Sequence, residues 1–366
     1  MSEHVAFVLG TRPEIIKLAP VIHACSDAML PYTIVHTGQH YSESLDSVFF
    51  EQLDLPDPAY NLGVGSGSHG KQTGEMLIRI EETLEEIDPD TVLVQGDTNS
   101  VLAGAIATSK TDIDLGHVEA GLRSFDRRMP EETNRVVADH VSEHLFAPTA
   151  QSERQLRREG IEAERITVTG NTVVDAVYRN RELAREKSTV LSTLGLDGRA
   201  FVLMTAHRAE NVDDEARFRS ILRGVDRAAR ERDVEVVYPI HPRAAKRLDD
   251  FGIDVPDRIR TIEPREYLDF LRLEAEADLI VTDSGGVQEE ACILGVPCVT
   301  MRDNTERPET IEVGANRLCG ADPEAIVRIV DEMWDVTSDW ENPFGDGDAS
   351  ERILETLGVS VERGVA

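Results

Sequence analysis

The chain has 366 residues, 69 of them acidic and 38 basic, for a net charge of −31, and 40% of it is hydrophobic. That length suits two domains. The acidity excludes general nucleic-acid binding, because no basic patch stands out, and the regular apolar runs exclude a disordered chain. Strand-like runs are predicted first at residues 5–10, 32–38, 91–97, 115–121, 144–149 and 166–171. A second set follows at 201–207, 234–241, 259–264, 278–285, 297–301 and 317–320. Helical periodicity lies between them, as in EMLIRIEETLEEI (75–87) and RFRSILRGVDRAARER (217–232).

Alternating strands and helices predict an α/β protein with parallel sheets covered by helices. Two sets of strands predict two Rossmann-like domains, 1–172 and 173–350, joined near 170–190. A terminal helix (351–366) is expected to pack back on the first domain. Polar residues follow the strands closely: Gly10-Thr11-Arg12, Gly38-Gln39-His40, Asp97, Glu119, His207, His241 and Asp283-Ser284. Ligands bind outside the carboxyl ends of strands in such sheets. Two such edges facing each other would form a central cleft.

No apolar run approaches the ~18 residues that cross a bilayer. The start, MSEHVAFVLG, lacks the basic region and cleavage site of a signal peptide, so no membrane association and a cytoplasmic location are expected. Four cysteines without CxxC spacing (Cys25, Cys292, Cys298, Cys319) read as small buried hydrophobes. Five lysines stand against 33 arginines. Scarce lysine and an acidic excess fit a protein kept soluble at very high salt, as in a halophile.

LGTRPEIIKLAPV (9–21) is strand, glycine turn and helix, with Arg12 and Lys17 offering positive charge. It reads as an anion site at a helix start, or as an ordinary turn with Arg12 paired to Glu14. LIVTDSGGVQEEACILGVPCV (279–299) repeats the architecture. There Ser284, Gly285 and Gly286 let backbone approach a diphosphate, and Glu290 can accept from a ribose diol. Two matches mislead. Gly65 to Lys71 imitates a P-loop, but Gln72 stands where Ser or Thr would hold magnesium and no strand is expected before it, so it reads as a flexible loop. HVSEH (140–144) imitates a zinc motif with two histidines on one helical face, but helix packing is the expected role. No metal site is assigned.

Asp97 follows a strand and can cap the next helix. His207, in TAHRAENV, becomes a phosphate-contact candidate in the company of the other strand ends. Glu119 ends a strand among small residues, a poor place for a merely solvated charge. Glu131 and Glu132 follow Pro130 at a helix start, where Glu131 can pair with Arg135. Asp97, Glu119 and Glu131 near one cleft would suit acid/base chemistry.

The ordered set GTRPEIIKLAPV, TGQH, GDTNSVLAGAIA, GHVEAGLRS, PEETNR, VTGNTVVD, HRAEN, YPIHP, TDSGGVQEEACILGVP, MRDNTERPET and NPFGDG covers roughly residues 5–355. It resembles the non-hydrolysing UDP-N-acetylglucosamine 2-epimerases. The resemblance implies a glycosyltransferase-B-like fold, usually homodimeric, with a UDP-sugar bound between the domains. It implies interconversion of UDP-GlcNAc and UDP-ManNAc by anti elimination of UDP to 2-acetamidoglucal and re-addition, with no metal or nicotinamide cofactor.

The resemblance further puts Asp97, Glu119 and Glu131 in acid/base roles and His207 by the departing diphosphate. Arg12, Lys17, Ser284, Gly285, Gly286, Glu290 and Arg307 would hold UDP, with Phe270 in the uridine pocket. Gln39, Arg208 and His241 match positions of an allosteric UDP-GlcNAc site in bacterial members. The chain departs from the family at Arg265, where glutamine is common, in a shorter loop from Ser124 to Met129, and at Ser42, where some activated members carry a longer polar side chain. Competing readings are a glycosyltransferase of the same fold, a hydrolysing epimerase, an epimerase of a modified UDP-acetamido sugar, and a sensor that binds without turnover.

Overall fold

Aliphatic and β-branched runs such as VAFVL and TVLVQ are buried along their whole length, as expected of parallel strands covered on both faces. A computed structural model describes residues 3–39 and 49–359. The first sheet contains β1 (Val5–Leu9), β2 (Tyr32–His36), β3 (Tyr60–Asn61), β4 (Thr91–Gln95), β5 (Asp114–Val118), β6 (His144–Ala147) and β7 (Ile166–Val168). Its order is β3-β2-β1-β4-β5-β6-β7, and every pairing is parallel. The second contains β8 (Phe201–Thr205), β9 (Glu235–Pro239), β10 (Ile259–Ile262), β11 (Leu279–Thr282), β12 (Cys298–Thr300) and β13 (Asn316–Leu318). Its order is β10-β9-β8-β11-β12-β13, again all parallel. Strand order reverses beside β1 and β4 in one sheet and beside β8 and β11 in the other. Those are the switch points at which doubly wound sheets open to ligands.

The two units are residues 1–176 with 344–366, and residues 177–343. In the first, Val8, Val92 and Val94 pack with Met76, Ile80 and Leu84 of helix His69–Ile87 and with Ala103 and Ala105 of helix Asn99–Thr108. Gly10 is a point of close approach: a Cβ there would lie 2.0 Å from Thr37 Oγ1 and 2.3 Å from Ser100 Oγ. In the second, Met204, Val236 and Tyr238 pack with Phe218 and Ile221 of helix Glu215–Arg232 and with Ile326 and Val330 of helix Pro323–Trp334. All four cysteines are free and buried.

The chain rejoins the first unit at Phe344, earlier than the expected 351. Helix Ala349–Thr356 contacts helix Arg12–Asp27. The Asp175 carboxylate accepts from Ser350 N (2.8 Å), Ser350 Oγ (2.7 Å) and Ala349 N (3.3 Å) and so pins that helix start. The loop before it carries no periodicity, which is why the sequence placed the return late.

Three local expectations are corrected. β3 precedes the glycine-rich stretch, and its two residues are too short for a periodic signal. Gly70 and Lys71 belong to helix His69–Ile87, and Gln72 is buried, donating to the carbonyls of Gln39 (3.1 Å) and Gly65 (2.7 Å). His140 and His144 do not share a helical face, because the helix ends at Val141 and His144 opens β6. No group of His, Cys, Asp or Glu among the described residues could hold a metal ion. No helix among them is long and apolar enough to cross a membrane.

Surface arginines are heavily paired, for example Arg230 with Asp226 (2.8 Å) and Arg219 with Glu215 (2.9 Å). Such exposed pairs each contribute about 0–1 kcal/mol, and the excess acidic charge still repels itself. Shortening the Debye length from about 10 Å at 0.1 M to about 3 Å at 1 M salt relieves that repulsion. We expect KCl over this range to raise the melting temperature by about 5 °C or more; a flat or falling melt, followed by circular dichroism, would contradict this.

Candidate active site

Glu14, one turn into helix Arg12–Asp27, is fully buried. Its Oε2 accepts from Gly10 N (2.5 Å) and Thr11 N (2.8 Å), and its Oε1 accepts from the Thr98 hydroxyl. The first N–H groups of the GTRP turn are therefore spent inside the protein. The expected backbone anion site at this turn is corrected, and its pairing alternative with it: Arg12 is exposed and lies over the Phe49 ring at 5.6 Å, not on Glu14.

Burial raises the Glu14 carboxyl to about 7, against the opposing pull of its hydrogen bonds. A raised carboxyl favours folding fully below its unfolded value of 4.5, and that contribution is lost as pH rises through about 7. Wild-type stability should fall over that window by on the order of 3 kcal/mol. Glu14→Gln keeps an acceptor for the turn and should remove the slope. Denaturant melts at about pH 5 and about pH 8 compare the two proteins; an unchanged slope in the variant would refute the assignment to Glu14.

Glu119 follows β5 with φ of 71°, a left-handed conformation that non-glycine residues rarely adopt. Its side chain is 5% exposed and surrounded by donors. Lys17 Nζ reaches both oxygens, at 2.8 and 2.7 Å, Gln95 Nε2 donates to Oε2, and Asn171 Nδ2 lies 3.4 Å from Oε1. Lys17, expected at UDP, thus sits on Glu119.

Asp97 lies two residues past β4, beside β5, where Gln95 pairs with Val118. It does not cap helix Asn99–Thr108. Thr98 does so, accepting from Ser100 N and Val101 N. Asp97 instead pairs with Arg135, and its carbonyl accepts from Asn134 Nδ2 at 2.9 Å. Both partners stand on helix Pro130–Val141, which carries Glu131 in its first turn.

The two glutamates of that turn differ. Glu132 is buried and accepts from Ser124 N (2.9 Å), Ser124 Oγ (2.9 Å), Phe125 N (3.0 Å) and Arg135 (2.7 Å), tying down the loop before the helix. Glu131 is half-buried with no hydrogen bond or ion pair among the described residues, and the expected Glu131–Arg135 pair is replaced by Arg135 with Asp97 and Glu132. The first unit therefore gathers Asp97, Glu119 and the Glu131 helix at one sheet edge.

Gln39 is also in this unit. Its Oε1 accepts from Ser100 N (3.1 Å) and Ser100 Oγ (2.8 Å). Its side chain is occupied with a helix start. His40 and Ser42 lie outside the described residues.

In the second unit Asp283 is the hub. It is fully buried after β11 and accepts from His207 N (3.0 Å), Arg208 N (3.0 Å), Asn211 Nδ2 (3.1 Å) and His207 Nδ1 (3.0 Å). Burial alone would raise this carboxyl, but His207 and the N–H donors more than offset it and hold it below its ordinary value. His207 Nδ1 is thereby a donor, which leaves Nε2 for chemistry. The His207 and His241 rings are 5.8 Å apart. His241 Nδ1 accepts from Arg243 N at 3.1 Å, and burial, His207 and Arg243 keep its ring below the ordinary histidine value.

His207 and His241 line a cavity of about 240 Å³ with Thr205, Arg265, Phe270 and Ser284. Helix Gly285–Leu294 starts at this wall, with Ser284 as its cap and open space where a Cβ would stand on Gly285 and Gly286. Its first N–H groups have no intrahelical acceptor, so this end, unlike the GTRP turn, suits an anion. Glu290 lies close to Glu274, whose carboxyl is raised well above the ordinary value by burial and by Glu290. Arg307 pairs with Glu289 at 2.6 Å, and Arg208 approaches Glu306 at 3.8 Å.

The two units each supply supporting residues, of which the sequence singles out only Arg135, and that as a partner for Glu131. Gln95 and Asn171 surround Glu119, Asn134 and Arg135 hold Asp97, and Asn211 supports Asp283. Their sequence signal is position alone: Asn171 and Asn134 stand inside the quoted motifs, and Asp283 follows a strand-like run.

Two doubly wound units whose polar groups gather at the strand ends define a glycosyltransferase-B-like protein. A family model described as UDP-N-acetylglucosamine 2-epimerase matches residues 23–358. A Methanocaldococcus jannaschii UDP-N-acetylglucosamine 2-epimerase is 53% identical over 96% of this chain and 98% of its own. A Pseudomonas aeruginosa UDP-2,3-diacetamido-2,3-dideoxy-D-glucuronate 2-epimerase is 41% identical over 96% and 98%. The solved structure of the M. jannaschii enzyme in complex with UDP-GlcNAc and UDP matches with TM-score 0.84 and 52% identity, covering 98% of this chain and 100% of that one. The protein belongs to the UDP-N-acetylglucosamine 2-epimerase family.

Proposed function

We propose that the protein is a non-hydrolysing 2-epimerase that interconverts UDP-GlcNAc and UDP-ManNAc. The observation that carries this reading is the pair of carboxylates, Asp97 and Glu119, on the ends of two adjacent strands in a unit that also presents Glu131. The M. jannaschii relative, solved with UDP-GlcNAc and UDP, supports the substrate.

In this reading a carboxylate of the first unit removes the proton at sugar carbon 2. The C1–O bond breaks in the same step, its electron pair leaves with UDP, and a C1–C2 double bond forms. The product is 2-acetamidoglucal. A second acidic group then protonates carbon 2 on the opposite face as UDP re-adds at carbon 1. The carbon 2 hydrogen of an acetamido sugar is weakly acidic, so each placed acid or base contributes on the order of 10²–10⁴-fold.

In the second unit, Ser284, Gly285 and Gly286 take the diphosphate at a helix start, and Phe270 and Arg265 wall the uracil. Glu290 accepts from the ribose diol, while Arg12 and Arg307 add positive charge. His207 stabilises the departing diphosphate, with its ring fixed by Asp283. The same proposal includes a cytoplasmic homodimer suited to high salt, supplying ManNAc-type sugars for glycan synthesis, with Gln39, Arg208 and His241 at an activating UDP-GlcNAc.

Proton NMR with UDP-GlcNAc in heavy water and molar KCl tests the reading. Appearance of UDP-ManNAc bearing deuterium at carbon 2 is the expected result. Free ManNAc and UDP as the only lasting products would replace it with a hydrolysing enzyme. The 41% identity to a diacetamido-glucuronate epimerase favours one second reading: turnover of that sugar with UDP-GlcNAc untouched would select it.

A further inference from the structure

His117 is fully buried in β5, two residues before Glu119. Its Nδ1 lies 2.7 Å from Asp139 Oδ1, and its Nε2 lies 2.8 Å from the Gly96 carbonyl oxygen. A carboxylate and a carbonyl only accept, so both ring nitrogens must carry protons. The ring is an imidazolium inside the protein. Burial opposes that charge, but Asp139, Gly96 and the nearby Glu119 outweigh it and raise the ring above its ordinary value.

The groups facing the ring form a closed set. Asp139 also accepts from Arg123 (2.7 Å) and from Gly121 N (3.2 Å), and Arg123 pairs with Glu159 (2.6 Å). Two cations and two anions balance, which is the condition under which buried charges are tolerated.

The anchoring points are the two turns of the candidate chemistry. Gly96 immediately precedes Asp97 and has φ of 84°; Gly121 follows Glu119 by two residues and has φ of 85°. One ring nitrogen holds the carbonyl of the first turn. The other, through Asp139, holds the N–H of the second. There is no slack at Gly121, where a Cβ would meet the Ser152 carbonyl at 2.5 Å. A buried ion pair that served packing alone would have no reason to bridge these two turns.

We propose that His117 is a positioning residue for proton transfer: as a doubly hydrogen-bonded imidazolium it locks the Asp97 and Glu119 turns together and places a fixed positive charge beside Glu119. The proposal rests on the epimerase reading, but its geometry is tested separately. The first measurement uses the wild-type protein labelled with ¹⁵N-histidine. Both His117 nitrogens should show imidazolium shifts that do not move between about pH 6 and about pH 8.5, where ordinary histidines titrate. A neutral-tautomer pattern overturns the proposal whether or not the protein turns over UDP-GlcNAc.

The second measurement uses His117→Gln and Asp139→Asn, with carbon 2 deuterium exchange, kcat, KM and UDP affinity. His117→Gln should lower kcat and exchange together by about 30-fold or more, within the usual range for a disturbed proton-transfer group. UDP affinity should stay within about twofold, since none of the groups proposed to hold UDP belongs to this cluster. Asp139→Asn should lower kcat similarly, and the double variant should be no worse than either, as expected of one unit acting together. Wild-type kcat in a folded His117→Gln overturns the proposal, as does a loss confined to KM. If the variants do not fold, the ¹⁵N result decides. Failure of wild-type epimerisation with an intact imidazolium signature would instead count against the epimerase reading.

Discussion

Glu119→Gln should lower the epimerisation rate by about 10²–10⁴-fold while UDP still binds with near wild-type affinity. The argument is steric as well as electronic. Gln matches Glu in size, so the left-handed turn can persist. The amide can accept at one oxygen only, and its NH₂ must face a donor, because Lys17 meets both oxygens, Gln95 meets Oε2 and Asn171 lies near Oε1. A site built from donors needs a carboxylate, and a neutral amide there cannot take the carbon 2 proton and leaves the Lys17 charge uncompensated. Part of the loss could come from an uncompensated Lys17, since breaking a buried pair costs about 3–5 kcal/mol. Lys17→Met in the Glu119→Gln background separates the two. Recovered stability with no recovered turnover assigns the rate to Glu119. Turnover within about tenfold of wild type in the single variant would remove Glu119 from the proton-transfer set. Asp97→Asn and Glu131→Gln are expected to act in the same direction, again without loss of UDP binding.

The alternation of buried strands and amphipathic helices was legible because burial on two faces forces continuous apolar runs, as at β1, β4, β8 and β11. β3 was not, since two residues at a sheet edge have no period to read. The pull of a motif can also mislead. The GTRP turn has the shape of an anion site, but Glu14, one turn along the helix, spends its N–H groups. Only the folded structure reveals that, because nothing in the spacing distinguishes a carboxylate folded back on its own helix start from one facing solvent. Glu131 and Glu132 make the same point in reverse: neighbours in sequence, they leave the helix in different directions, one half-exposed and one tied to the Ser124–Phe125 loop. Strand-end position is the sign that marks Asp97, Glu119, His207 and Asp283 as candidates. What it left out were the residues that hold those groups, such as Gln95, Asn171 and His117, which look like ordinary strand or loop polar residues until the sheet brings them together.

The remaining large effect concerns the leaving group. His207→Asn should reduce epimerisation and carbon 2 deuterium exchange in parallel, by about 10²–10³-fold, the usual loss when one donor to developing charge is removed. Parallel loss follows from the concerted step: if the proton leaves only as the C1–O bond breaks, weakening support for UDP slows both readouts. Exchange that persisted while epimerisation collapsed would mean that the proton departs independently, and it would sink the anti-elimination reading. Asp283→Asn tests the same pair from the buried side. Asp283 accepts two backbone N–H groups, Asn211 and the His207 ring. An amide there presents donors to donors, so turnover should fall as in His207→Asn while stability also drops, by on the order of 3 kcal/mol or more. The His207 side chain is 40% exposed, so its own replacement should leave the melt almost unchanged. Because the two residues act as one dyad, the double variant should be no slower than the worse single variant. Multiplicative rate losses would show that Asp283 supports turnover by a route other than orienting His207.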